Sequence, residues 1–276
     1  MSRSHREGTS GNLKQSMRDN YTEHGVDEYY KKVGGTYRNP HFPGVRNAMF
    51  IWLNKWWSHE QSRIGESGFT LFDMACGSGE ATTSLMEWWM IGRRLYSSSG
   101  QAGAPNAMPR AKSNLLTAPA FGPTLTCPTI YAADPYTSSA FHARTGLYNC
   151  SELSFRDIAE GSLPQSPLSS LPPSTDAPKS PKGTQKSTGT IEMTVCSFAL
   201  HLIESPSELF ALLWELSTKC RWLIVLAPHK KPEIKDGWGW SKWDVDNWAE
   251  VPMTDHKGEI LNTRVHCRVY RSLNVQ

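Results

Sequence analysis

Three aspartates close or follow short apolar runs in this chain: Asp73 after Leu71-Phe72, Asp134 after Tyr131-Ala132-Ala133, and Asp157 in Leu153-Ser154-Phe155-Arg156-Asp157. A carboxylate at the end of a strand can accept two hydrogen bonds from the cis hydroxyls of a ribose, or one from an adenine amine, so three on one rim suit a nucleoside. Asp73 is followed by Met74-Ala75-Cys76-Gly77-Ser78-Gly79-Glu80. Gly77 and Gly79 would let the backbone approach a bound molecule, and the amides opening the next helix would offer donors to an anionic group. The competing reading is an ordinary strand-to-helix turn. His201 and His229 each follow a further apolar run, on the same rim, where an imidazole could remove a proton from an acceptor. His201 is equally readable as a residue that only caps or packs in its turn.

These residues need a scaffold that brings strand ends together. The runs 69–74, 129–133, 191–196 and 222–227 are short and mainly apolar, as expected for parallel strands covered on both faces. Between them lie helical patterns at 80–95, 138–146 and 205–218. The last has a capping box formed by Ser205 and Glu208, with Pro206 at the first helical position. An additional helix over residues 43–58 precedes the first strand, and residues 153–158 read as a third strand ending near Asp157. The run Val265-His266-Cys267-Arg268-Val269-Tyr270-Arg271 alternates apolar with polar, as a half-buried antiparallel or edge strand would, and its arginines read as solvated. The fold class is therefore α/β, a doubly wound and mostly parallel sheet with an antiparallel C-terminal strand and an N-terminal helical lid. The expected organisation is a flexible tail over 1–25, a lid segment over 26–66 and a core over 67–276. Ser, Pro, Gly and Ala enrichment marks flexible insertions near 97–126 and 160–190.

Composition excludes several classes. The 276 residues are 38% hydrophobic and include 11 Trp, 9 Tyr and 9 Phe, too much apolar surface for a disordered chain. No apolar run approaches the ~20 residues of a membrane span. A formal charge of +3, from 29 basic and 26 acidic residues, gives no support for nucleic acid as a partner. The six cysteines are scattered without a C-x-x-C pair, and the polar N-terminus has no apolar segment of the secretory kind, so we expect reduced thiols, no metal and a cytoplasmic location, with the nucleus as the alternative.

The stretch from Asp73 to Gly79 resembles the first motif of the class I S-adenosylmethionine-dependent methyltransferases, in the variant with alanine at the first glycine. Asp134 is similar to that family's ribose-binding acid, Phe155-Arg156-Asp157 to its adenine-edge motif, and Val195-Cys196-Ser197-Phe198-Ala199-Leu200-His201 to its fourth-strand motif. The resemblance extends from about Tyr30 to Arg271, and Thr82 in place of a third glycine disfavours a dehydrogenase. It implies an enzyme that holds S-adenosylmethionine with Asp73, Ala75, Gly77, Gly79, Asp134, Pro135, Asp157 and Ser197. By the same resemblance Arg38 would pair with the methionine carboxylate, and Tyr30 or Tyr37 would line the acceptor site. His201 and His229 are the candidate bases, and Trp238 and Trp240, with Trp243, form either an aromatic wall for the acceptor or part of the core. The expected acceptor is a nitrogen or oxygen of a small molecule. The alternatives are an RNA or protein methyltransferase and a non-catalytic scaffold with the same fold.

Overall fold

The computed structural model describes residues 25–99, 116–172 and 189–275, so the tail expected over 1–25 and the middle of each insertion lie almost wholly outside the described residues. Four parallel strands form the centre: β1 (Thr70–Met74), β2 (Thr129–Ala133), β3 (Ile191–Ser197) and β4 (Cys220–Ala227). Beyond them come β5 (Trp240–Asp244), β6 (Ala249–Val251), β7 (Ile260–Asn262) and β8 (Val265–Ser272). The order across the sheet is β2-β1-β3-β4-β8-β5-β6, with β7 paired to β8. β8 runs antiparallel to both β4 and β5, as the methyltransferase resemblance implies for the last strand.

Alternation along the strands divides the apolar side chains between two faces. Leu71, Met193, Val195, Trp222 and Ile224 meet helices α2 (Phe42–Ile64) and α3 (Glu80–Ser99) on one face. Phe72, Met74, Cys196, Leu223 and Val225 pack on the other against α6 (Pro206–Ser217), whose Leu209, Leu212, Leu213 and Leu216 are buried. The α6 start is as expected in one half: the Glu208 amide donates to Ser205 Oγ at 3.3 Å. A shorter helix, α4 (Ser138–Thr145), follows β2 and ends at Gly146 with φ 69°.

Several expectations need correction. Residues 153–158 are not a strand. Ser154 caps a short helix, α5 (Phe155–Ala159), and Asp157 returns the bond in a capping box. What remains of a third parallel strand is one bridge, Ala133 to Ser151. β8 is no edge strand, because it is flanked by β4 and β5 and its residues 265–270 are buried. Of the arginines read as solvated, Arg264 is exposed, but Arg268 is buried and donates to the carbonyls of Pro232 at 2.7 Å and Lys231 at 3.0 Å, and the half-buried Arg271 lies over the Trp222 and Trp243 rings. Helix α2 runs past the expected end at 58 and belongs to the core rather than to a lid, since Met49, Trp52, Leu53 and Trp56 are fully buried in it.

The insertions are also better ordered at their ends than their composition implies. The Phe121 ring is buried between Trp57, Trp88 and Trp89, and its amide donates to Gly92 O at 3.0 Å. Leu168 donates to Ile130 O at 2.8 Å along the exposed side of β2. Among the described residues no helix is long and apolar enough to cross a membrane.

Candidate functional site

The carboxyl ends of β1, β2, β3 and β4 share one rim, which is where an open α/β sheet leaves a crevice. At β1, Asp73 is fully buried, and its Oδ2 caps α3 by accepting from the Thr82 amide at 3.0 Å and the Thr82 hydroxyl at 2.7 Å. Its Oδ1 is buried without a hydrogen-bond partner. Burial pushes the Asp73 carboxyl up to about 7; the Thr82 bonds oppose the rise, and the charges of Glu80 and Asp134 add to it.

The loop after β1 is turned by three residues in the left-handed region: Ala75 at φ 52°, Gly77 at 56° and Gly79 at 84°. Ala75 thus occupies a conformation that favours glycine, which accounts physically for a glycine at this position in the motif it resembles. The loop is tied to β2 through the Cys76 amide, which donates to Ala133 O at 3.1 Å, and the Gly77 amide, which donates to Asp134 Oδ2 at 3.1 Å. Asp134 Oδ1 also accepts from the amides of Tyr136 at 2.9 Å and Thr137 at 3.0 Å, on either side of which Pro135 and α4 follow. Burial raises the Asp134 carboxyl, with these amide bonds pulling against it.

Across the rim, Ser197 ends β3 with its Oγ buried and unpartnered, and Phe198 follows at φ 58°. His201 lies in the next turn, and its ring meets that of His229 at 4.9 Å, edge to face. The structure therefore brings together the two histidines expected from the sequence. His201 Nδ1 is buried without a partner, whereas His229 Nδ1 accepts from the Lys231 amide at 3.3 Å. Burial, reinforced by the charge of His229, lowers His201 to about 4, so its imidazole is neutral at neutral pH.

The N-terminal segment covers the glycine loop. Helix α1 (Val26–Val33) leads into a 3-10 turn, Gly34–Thr36. Tyr30 stacks on Tyr136 at 6.2 Å, and Tyr37 lies so close to Gly77 that a Cβ there would meet its Cε1 at 2.9 Å. The Asn39 amide donates to Glu80 Oε1 at 3.2 Å, and His41 stacks on Phe198 at 5.0 Å. Arg38 donates to its neighbour's carbonyl, Tyr37 O, at 2.7 Å. A cation against the loop that the sequence reading missed is Arg144 of α4, which reaches Glu80 Oε1 at 2.6 Å and Ser78 Oγ at 3.0 Å, over the Phe42 ring. Arg144 carries no motif of its own, and only the fold shows which loop α4 faces.

Gly34 matters here for close approach, not for flexibility. Its φ is an ordinary −51°, but a Cβ would overlap the Tyr136 carbonyl oxygen. Gly34→Ala should lift the segment from its seat while leaving the core intact. The expected result is severalfold faster tryptic cleavage after Lys31, Lys32 or Arg38 with an unchanged melting temperature.

Two of the expected site residues, Trp238 and Trp240, lie elsewhere. Trp240 pairs with Ser272 at the far end of β8, opposite the rim, is 1% exposed and donates its indole N–H to Leu213 O at 2.7 Å. Trp238 packs beside it against Phe210. Neither forms an acceptor wall; both fill space beneath α6. Asp157 is turned back on its own cap, accepting from the Ser154 amide at 2.8 Å and hydroxyl at 2.6 Å, and those bonds, the hydroxyl first, lower its carboxyl. Among the described residues no group of three or more His, Cys, Asp or Glu is placed to hold a metal ion.

The chain aligns with the uncharacterized protein C17A5.05c of the fission yeast Schizosaccharomyces pombe at 39% identity over 264 residues, spanning 96% of this chain and 95% of the yeast protein. The chain belongs to the same family as that protein. No protein-family model matches the chain. Two solved structures align with it at 13% identity: the magnesium protoporphyrin IX methyltransferase ChlM of Synechocystis PCC 6803 with bound SAM, and the same enzyme with bound SAH. The first has a TM-score of 0.39 and covers 92% of each chain; the second has 0.38 and covers 92% of this chain and 95% of the other.

Proposed function

We propose that this chain is an S-adenosylmethionine-dependent methyltransferase acting on a nitrogen or oxygen of a small molecule. The observation that carries the reading is the state of the rim. Asp73 Oδ1, Ser197 Oγ and His201 Nδ1 are buried there without partners, beside a loop opened by Gly77 and Gly79. Leaving such an atom unsatisfied costs about 1–3 kcal/mol, so three at the strand ends favour a polar ligand that satisfies them.

The residues present fit this cofactor. Asp134 has three amides on a carboxylate with about four acceptor positions, which leaves room for a ribose hydroxyl. Asp73, titrating near 7, can present either a lone pair or a proton at Oδ1. The cofactor supplies a methyl group already activated on a sulfonium, so the protein's task is to align an acceptor and exclude water. Tyr37, seated on Gly77, shields the loop, and neutral His201 offers an acceptor nitrogen that can orient an N–H or O–H. The closed N-terminal segment and the balanced surface charge support a small acceptor over a macromolecular one.

Calorimetry with S-adenosylhomocysteine is expected to give a one-to-one complex; no detectable heat at millimolar ligand would overturn the reading. Incubation with labelled cofactor and a cell extract, followed by size fractionation, should place the label on metabolites, and label on RNA or protein would replace that acceptor class. His201→Ala should then lower turnover on the labelled acceptor. Since His201 titrates near 4 instead of its ordinary 6.5, its protonation should not limit wild-type turnover as the pH falls from about 7 to about 5, and a change centred near 7 would belong to Asp73. An acid limb centred near 6.5 would assign the proton-sensitive step to another group.

A further inference from the structure

Two thiols meet at the base of the glycine loop. Cys76, between Ala75 and Gly77, has its Sγ 3.5 Å from that of Cys150. Cys76 is 3% exposed, and Cys150 is partly open to solvent. The two come from segments already stitched to the end of β2: the Cys76 amide donates to Ala133 O, and Ser151, the neighbour of Cys150, donates to Ala132 O at 2.9 Å and accepts from the Asp134 amide at 2.9 Å. The remaining four cysteines are also free, and Cys127 alone among them is exposed.

We propose that Cys76 and Cys150 form a reversible disulfide under peroxide, and that this bond shuts the cofactor site. The switch rests on the cofactor reading above. A disulfide brings its sulfurs to about 2.05 Å, so closure moves the pair together by roughly 1.5 Å. Cys76 has little slack to give, because both neighbours hold left-handed backbone angles, 52° at Ala75 and 56° at Gly77. Whatever part of the displacement Cys76 takes up passes to the Gly77 amide and its bond to Asp134, and to the surface on which Tyr37 rests.

The chemistry balances with a hydroperoxide as the oxidant. The thiolate of Cys150, the more accessible sulfur, attacks a peroxide oxygen; an S–O bond forms, the O–O bond breaks and the leaving hydroxide is protonated to water. Cys76 sulfur then attacks the sulfenic acid, forming the S–S bond and releasing a second water. The peroxide gains two electrons and the thiol pair loses two. Burial, and then the contact with Cys150, raise the Cys76 thiol, which keeps it from reacting first, while its 3.5 Å approach to the Cys150 sulfur places it for the second step.

The test uses the full chain, reduced, then treated with hydrogen peroxide. We expect the mass to fall by two hydrogens, a Cys76–Cys150 cross-linked peptide in the digest, and an affinity for S-adenosylhomocysteine weakened at least about tenfold, all reversed by dithiothreitol. Cys150→Ser should bind the ligand as wild type does and be insensitive to peroxide. Absence of the cross-linked peptide, or a cross-linked protein that binds with unchanged affinity, would overturn the switch. If the reduced wild type binds no ligand, the cofactor reading fails and the switch falls with it, whereas the peptide map still reports whether the pair bonds.

Discussion

Asp134→Ala is expected to reduce affinity for S-adenosylhomocysteine by about 100-fold or more. The side chain does two things that no neighbour can take over. It offers acceptor capacity to a ligand, and it holds the amides of Gly77, Tyr136 and Thr137 in place at 3.1, 2.9 and 3.0 Å. Truncation leaves three donors without that acceptor, at about 1–3 kcal/mol for each that stays dry, and removes one of the two bonds that tie the glycine loop to β2. Asp134→Asn separates the two roles. One oxygen is kept for the Tyr136 and Thr137 amides, but an amide nitrogen then faces the Gly77 N–H, donor against donor. Calorimetry that finds wild-type affinity in both variants would remove Asp134 from the site.

The second large effect lies away from the chemistry. Lys242 on β5 is 3% exposed, and its ammonium is paired with Glu259, itself 4% exposed; His266 Nε2 bonds the other carboxylate oxygen, and His256 Nδ1 lies 3.2 Å from the first. Lys242 also donates to Asp255 O. Glu259→Gln should cost about 3–5 kcal/mol, because it leaves a buried ammonium without its countercharge. The melting temperature is then expected to fall by roughly 10 °C. Burial works to raise the Glu259 carboxyl, but the bonds from His266, Lys242 and His256 outweigh it and hold it at about 2, against an ordinary 4.5. A carboxylate whose folded pKa is depressed stabilises the fold fully above about 4.5 and loses that contribution as the pH falls toward 2. The gap in melting temperature between wild type and Glu259→Gln should therefore be constant near neutrality and narrow on acidification below about 4.5. A gap independent of pH would mean that the loss is one of packing.

Much of this architecture was legible because its elements carry strong local signals. β1 to β4 are short, mainly apolar runs, α6 has Ser205 at its cap and leucines on one face, and the turn from Asp73 to Gly79 has few other uses. Other parts were hidden for specific reasons. β5 reads as Trp240-Ser241-Lys242-Trp243-Asp244, and a lysine in a strand suggests exposure until Glu259, distant in sequence, is seen to neutralise it. The helix at Phe155–Ala159 was readable from Ser154 and Asp157, but an apolar Leu153 and Ile158 on either side argued for a strand. Phe121 was masked by averaging composition over its loop. The Trp238–Trp240 pair misled because tryptophan suits both a ligand wall and a core, and only the register of β5 against β8 separates rim from base. Arg144, Cys150 and the seat of Gly34 on Tyr136 depend on tertiary approach alone.

The position of β8 bears on how the chain reaches this state. It is the last strand in chain order among the described residues, yet it sits inside the sheet and supplies the partner on which β5 depends. During synthesis β1 to β4 can assemble as they leave the ribosome, but β5 and β6, which pair with each other, cannot join that sheet until β8 emerges and inserts. That interval exposes the free backbone edge of β4 to other nascent chains. A ribosome stalled before residue 265 would therefore hold a sticky intermediate, a natural client for a chaperone that recognises unpaired strands.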